Sequence, residues 1–169
     1  PLPPSSAASD VYKRQVFVDS KTKSHGIWKP SSEWRFHFDI LKGRKEFDAV
    51  VHNHPAYGTG MSILGKDIKA YHYMIAFLGG DTIKCSTFAL PGSQELSDVA
   101  LKALKGRKAC LLANHGTITC GKNLDEAMFL TEEFEILCKQ ITIAKINGKP
   151  QLVEKLSLIH ISEPTRHTS

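Results

Sequence analysis

Between Val16 and Glu154 the apolar positions recur with two periods, two residues in some stretches and three to four in others, and the order of those stretches predicts the elements. VFVDSKTKSHGIW has two short apolar segments around a polar centre, the pattern of a hairpin. SSEWRFHFDILKG sets serines ahead of Trp34, Phe38 and Leu41 at helical spacing, which predicts a helix with a serine N-cap that closes on Gly43. FDAVVHNH predicts a strand, KAYHYMIAFLGG a short helix stopped by Gly79 and Gly80, and TIKCSTFA a second strand. GSQELSDVALKALKG predicts a capped helix with Leu96, Val99, Ala103 and Leu104 on one side and Gly106 at its end. KACLLANHG reads as a buried strand running into a loop. The longest helix starts at Asn123, which with Glu126 matches a capping box. It carries Ala127, Leu130, Phe134, Leu137, Ile141 and Ala144 until Asn147 and Gly148. Strands alternate with helices and no segment repeats, so the class is α/β.

The two ends lack either period. Residues 1–15 and 155–169 are therefore set apart as non-native or disordered tails, and DVYKRQ and LIHISEPTRHTS resemble translated sequencing adapter. Residues 16–154 form the one expected domain, long enough to bury a substantial core.

Composition narrows the function classes. The net charge of +5 comes from lysines and arginines scattered along the chain, with no basic run interleaved with aromatics. This speaks against a nucleic-acid binder and suits an anionic small substrate. Cys85, Cys110, Cys120 and Cys138 show no CxxC spacing, and three lie in apolar stretches, so they read as reduced packing residues of a cytoplasmic protein. No apolar run approaches the ~20 residues of a membrane span, and no signal peptide opens the chain.

The chemistry centres on VVHNHP. Val50 and Val51 favour an extended chain, and on a strand His52 and His54 project from one face, offering half a metal site. Catalytic zinc takes three protein ligands and leaves a position for water or substrate. His115, where a buried strand meets the glycine-containing loop of LLANHG, is the candidate third. Three such ligands should converge within about 4 Å of one another. Any lone histidine could equally be satisfied by hydrogen bonds, and the spacing leaves both readings open. In KPSSEWRFH, Ser31 and Ser32 stand at a helix start, where free N–H groups and the helix dipole favour an anion such as phosphate, and Glu33 lies in the first turn. Ser-Ser-Glu is also what an ordinary helix start looks like.

Taken in order, PSSEWRFH, AVVHNHP, HYMIAFLGG, ELS and LLANHG resemble the class II aldolase and adducin family, over about Val16 to Val153. The resemblance implies a three-layer α/β/α sandwich around a mainly antiparallel sheet and a cyclic homotetramer. It implies one Zn2+ per subunit, held by His52, His54 and His115. It further implies that Glu33 is the acid/base, that Ser31 and Ser32 help hold a substrate phosphate, and that Tyr73 acts across a subunit interface on the departing aldehyde oxygen. The implied reaction is retro-aldol cleavage of a phosphorylated sugar, a ketose 1-phosphate of the L-fuculose kind, to dihydroxyacetone phosphate and an aldehyde. Family members also carry a helical segment and a glycine- and asparagine-containing phosphate loop ahead of the hairpin, where residues 1–15 stand here.

Alternatives inside the family are pentulose-phosphate 4-epimerases, a sugar-phosphate dehydratase and sugar-acid decarboxylases. The epimerases usually place aspartate where Glu33 stands, which favours an aldolase. An adducin-like binding module would lack the ligands, and all three histidines are present. Neither nucleic acid nor membrane is an expected partner.

Overall fold

The computed structural model describes residues 15–154, so the readings of the two tails fall outside the described residues, Gln15 apart. Among the described residues twelve elements follow in order. They are β1 (Phe17–Val18), β2 (Ser24–His25), α1 (Trp34–Gly43), β3 (Ala49–Asn53), α2 (Ala56–Ile63), β4 (Ile68–Lys69), a 3-10 helix (Tyr73–Leu78), β5 (Thr82–Cys85), α3 (Gln94–Ala103), β6 (Ala109–Leu112), β7 (Gly116–Gly121) and α4 (Leu124–Asn147).

β1 and β2 form the expected antiparallel hairpin, and the other strands form one sheet in the order β3-β7-β6-β5-β4. β3–β7, β7–β6 and β5–β4 pair antiparallel and only β5–β6 is parallel, so the sheet is mainly antiparallel. Side chains alternate across the central strands, and both faces are covered. Cys110, Leu112, Ile118 and Cys120 join Phe36 and Ile40 of α1, Leu96 and Ala100 of α3, and Leu104 just beyond it in one core. Ala109 and Leu111 face the other way, onto a second core with Met61 of α2, Ile75 and Leu78 of the 3-10 helix, and Phe134, Leu137 and Ile141 of α4. The result is the α/β/α sandwich. All four cysteines are free thiols, three of them buried. Burial pushes the thiols of Cys85 and Cys120 up to about 11 and about 12, as packing residues should behave.

The structure corrects several local readings. α1 buries Phe36 and Ile40, not the row of Trp34, Phe38 and Leu41, because its inward face is set by where α3 lies. Its N-cap position is Glu33, which makes no side-chain cap, and its chain leaves through Arg44, so Gly43 is the last helical residue. Residues 73–78 wind as a 3-10 helix ending on Gly79 at φ 99°. α2, β4 and β7 had no predicted counterpart; α2 is glycine-rich, and β7 is buried on both faces, so neither displays an amphipathic period. At α4 half of the capping box forms: Asn123 Oδ1 accepts from the Glu126 N–H at 2.8 Å. The Glu126 carboxylate turns to the Lys122 N–H and the Lys108 ammonium instead of the Asn123 N–H. Ala144 is exposed, past the point where α4 leaves the core.

The inward face of α1 yields a direct test. Ile40→Ala should destabilise the chain by about 2–5 kcal/mol in urea unfolding, whereas Leu41→Ala should stay within roughly 0.5 kcal/mol. Equal losses would mean that α1 packs on the other row.

Candidate metal centre

Pairing between β3 and β7 builds the site. Its register sets Asn53 opposite Thr117 and His52 opposite Ile118. The C-terminal end of β3 therefore lies beside the turn that joins β6 to β7, and that turn carries His115. His52 shares the sheet face of Ile118, and its ring meets Phe36 edge-on at 5.1 Å. The same face brings in Glu33, at the head of α1. His54 lies one residue past the end of β3, yet its Nε2 reaches to 3.0 Å from His52 Nε2.

Ligand atoms of Glu33, His52, His54 and His115 all lie within 4.8 Å of one another, slightly wider than the spacing expected from sequence. The three imidazole centroids are 4.8–4.9 Å apart. Glu33 Oε2 is 3.1 Å from His52 Nε2, and Glu33 Oε1 is 3.0 Å from His115 Nε2. Despite that approach, Glu33 Oε1 is buried without a hydrogen bond of acceptable direction, and so is His115 Nδ1. Side chains of His52, His115 and Glu33 are only 8%, 9% and 14% exposed, so water cannot fully satisfy them.

Proton placement explains why this arrangement suits a cation. His52 Nδ1 lies 2.9 Å from the Thr117 carbonyl, which only accepts, so Nδ1 carries the proton and Nε2 presents its lone pair. Ligands about 2.0–2.1 Å from a tetrahedral ion sit roughly 3.3 Å apart, close to the 3.0–3.1 Å contacts of this cluster. A divalent ion would satisfy the His52 lone pair and the unpartnered Glu33 oxygen that the protein leaves close together, so the donor set fits one. Burial lowers the pKa of both His52 and His115, and the neighbouring imidazoles lower them further, which keeps the rings in the neutral form a metal requires. Glu33 opposes that shift in both.

The other expected residues are placed differently. Ser31 and Ser32 are exposed in the turn before α1. Ser31 Oγ accepts from the Glu33 N–H at 3.2 Å, so the turn also orients the acid. Tyr73 is 49% exposed on the 3-10 helix, its ring 4.6 Å from that of His72. That helix packs against β5 and α4, while the cluster is drawn from β3, the β6–β7 turn and the head of α1.

Two supports escaped the sequence reading. Gly116 lets β7 pass against the ligand strand: a Cβ there would fall 2.5 Å from the Asn53 carbonyl oxygen and 2.6 Å from His54 Cδ2. The glycine after His115 was the available signal, but only the register explains it. His37 on α1 stacks on Phe36 at 4.7 Å, and burial, together with the nearby His52, pushes its pKa down to about 4.

Comparison with known proteins shows the family and the fold. The model of the Class II Aldolase and Adducin N-terminal domain matches residues 7–142. A 5-methylthioribulose-1-phosphate/5-deoxyribulose-1-phosphate aldolase of Rhodospirillum rubrum is 50% identical over 125 residues, which is 74% of this chain and 57% of the relative. L-fuculose phosphate aldolase of Escherichia coli K12 is 47% identical over 124 residues, 73% of this chain and 58% of that one. Among solved structures an L-fuculose 1-phosphate aldolase superposes with a TM-score of 0.83 at 34% identity, covering 87% of this chain and 69% of its own. The chain thus spans less than two thirds of the length of these two curated relatives.

The depressed histidines set a pH dependence. A histidine whose folded pKa lies below its ordinary 6.5 binds fewer protons folded than unfolded, so its contribution is intact above pH 6.5 and is lost as pH falls toward the folded value. The metal-free chain should therefore lose urea resistance steadily from pH 7 to 5. His37→Phe, which keeps the stack on Phe36, should flatten that slope. A parental slope in the variant would show that His37 titrates normally.

Proposed function

This chain belongs to the class II aldolase and adducin family, and we propose that residues 16–154 are a zinc-dependent aldolase domain of a cytoplasmic enzyme. Its reaction is cleavage of a ketose 1-phosphate to dihydroxyacetone phosphate and an aldehyde. The observation that carries this reading is the convergence of three imidazoles and one carboxylate at one end of the sheet. His52, His54 and His115 would hold the ion, and zinc bound there would supply Lewis acidity for the negative charge that develops as the carbon–carbon bond breaks.

The chain's own residues account for the rest. Breaking the C3–C4 bond leaves its electron pair on the phosphate-bearing half, as the enediolate of dihydroxyacetone phosphate. Carbon C3 must then gain a proton, and the C4 oxygen must lose one to become the aldehyde. Glu33 is suited to deliver the first: its carboxylate is largely buried and lies within 3.1 Å of two of the candidate ligands. Ser31 and Ser32 would hold the phosphate with their hydroxyls and the N–H groups at the head of α1. Gly92 seats this turn. Its φ is +78°, and a Cβ there would fall 2.8 Å from the Ser32 carbonyl oxygen, so the loop before α3 fits closely only as glycine. Tyr73, exposed and away from its own chain's cluster, would take the C4 proton in a neighbouring subunit of a homotetramer.

The names of the relatives support a 1-phosphorylated ketose with either a fuculose or a 5-deoxyribulose skeleton. Both release the same phosphorylated product, so one assay covers both. With a complete family N-terminus in place of residues 1–15, the zinc-loaded protein should release dihydroxyacetone phosphate from L-fuculose 1-phosphate or 5-deoxyribulose 1-phosphate, whereas the 169-residue chain alone should bind metal but turn over little or nothing. Glu33→Gln should keep the zinc and lose roughly 10²–10⁴ in rate, while His52→Ala should lose both metal and turnover. A zinc-loaded protein with that N-terminus restored that cleaves neither ketose would defeat the aldolase reading. A Glu33→Gln chain working at the parental rate would reduce Glu33 to a helix-start residue.

A further inference from the structure

His115, like His54, is a candidate ligand that lies in neither a helix nor a strand. It sits in the turn Ala113–Asn114–His115 between β6 and β7, with Asn114 in the left-handed region at φ 56°. A turn of that kind has amides that cannot join the sheet ladder, and buried amides without partners are costly. Here each of the three consecutive N–H groups is received by a buried serine from another part of the chain. Ser86 Oγ accepts from the Ala113 N–H at 3.3 Å. The Ser62 carbonyl accepts from the Asn114 N–H at 3.2 Å. Ser62 Oγ accepts from the His115 N–H at 3.3 Å and donates its own proton to the Thr59 carbonyl at 2.8 Å. Ser62 is 0% exposed and Ser86 8%.

Ser62 stands on α2, the helix that begins directly after His54-Pro55. The Glu135 carboxylate of α4 anchors that helix, accepting from the Tyr57 N–H at 2.9 Å and the Gly58 N–H at 2.7 Å. One short rigid element thereby links the segment carrying His52 and His54 to the turn carrying His115.

We propose that Ser62, assisted by Ser86, is a positioning residue that clamps the β6–β7 turn and sets the direction of the His115 ring toward the other two histidines. The inference rests on the reading of His115 as a metal ligand. Without the Ser62 hydroxyl the His115 N–H keeps only its turn bond to the Leu112 carbonyl at 3.1 Å, and the ring gains freedom about its backbone.

The test uses the full 169-residue chain with Ser62→Ala, Ser86→Ala and a control, Ser97→Ala. Ser97 is equally buried, but its hydroxyl serves Asp39 between α1 and α3, away from the turn. Zinc affinity is read by competition with a chromophoric chelator, ligand geometry by the visible absorption of bound Co2+, and stability of the metal-free chain by urea unfolding. Ser62→Ala should bind zinc about 10–100-fold more weakly and shift the cobalt bands, Ser86→Ala should show a smaller loss, and Ser97→Ala should lose stability alone. Parental zinc affinity and an unchanged cobalt spectrum in Ser62→Ala, with stability lowered as in Ser97→Ala, would overturn the clamp and leave the metal centre standing. A parental chain that binds no zinc would overturn the metal reading itself, and the clamp with it.

Discussion

Everything at the candidate centre depends on the five-residue antiparallel ladder between β3 and β7. Side chains alternate along a strand, so sliding β3 by one residue would turn His52 away from α1 and carry Asn53 into its place. The register is held from both faces. Val50 and His52 lie opposite Cys120 and Ile118, which belong to the core under α1 and α3. On the far face, Thr117 Oγ1 donates to Asn53 Oδ1, and Thr119 shares a hydroxyl contact with Thr131 of α4. The core that stabilises the sheet and the histidine pair that gives it chemistry are thus specified by the same ladder.

Electrostatics then determines what that geometry can hold. Three imidazoles and a carboxylate are brought within 4.8 Å of one another, and burial favours the neutral ring at His52 and His115. The Thr117 carbonyl takes the only proton of neutral His52, so its other nitrogen turns a lone pair toward the Glu33 carboxylate, which lies 3.1 Å away. Such a cluster is poor as a hydrogen-bond network and good as a cation site. Glu33 belongs to it for a structural reason as well. The position that could have capped α1 leaves the helix end to the Ser31 turn, and its carboxylate is free to face the histidines.

The supporting scaffold is built from buried polar contacts between segments distant in sequence. Glu135 on α4 receives two amides at the start of α2, and Ser62 on α2 receives the turn beyond β6. The apolar cores on the two faces of the sheet set the stability of the layers, while these few polar contacts set the directions of the side chains near the cluster.

Much was legible in the chain itself. His-x-His after a β-branched pair, a third histidine beside glycine at a strand end, and an acid after two serines are local patterns. Periodicity identified the helices that bury one face, α3 and α4 above all. Periodicity misled on α1, where Trp34, Phe38 and Leu41 keep helical spacing but the row of Phe36 and Ile40 turns inward, because both rows are apolar and only the position of α3 chooses between them. It was silent on α2 and β7, the first rich in glycine and the second buried on both faces, since neither has a polar side to mark a period. The order of the sheet, the convergence of Glu33 with the His52–His54 segment and with His115, and the serines beneath His115 were decided by tertiary structure alone. Their partners stand between 19 and 82 residues apart, and no local pattern records which distant residues the packing of a sheet between two helical layers will bring together.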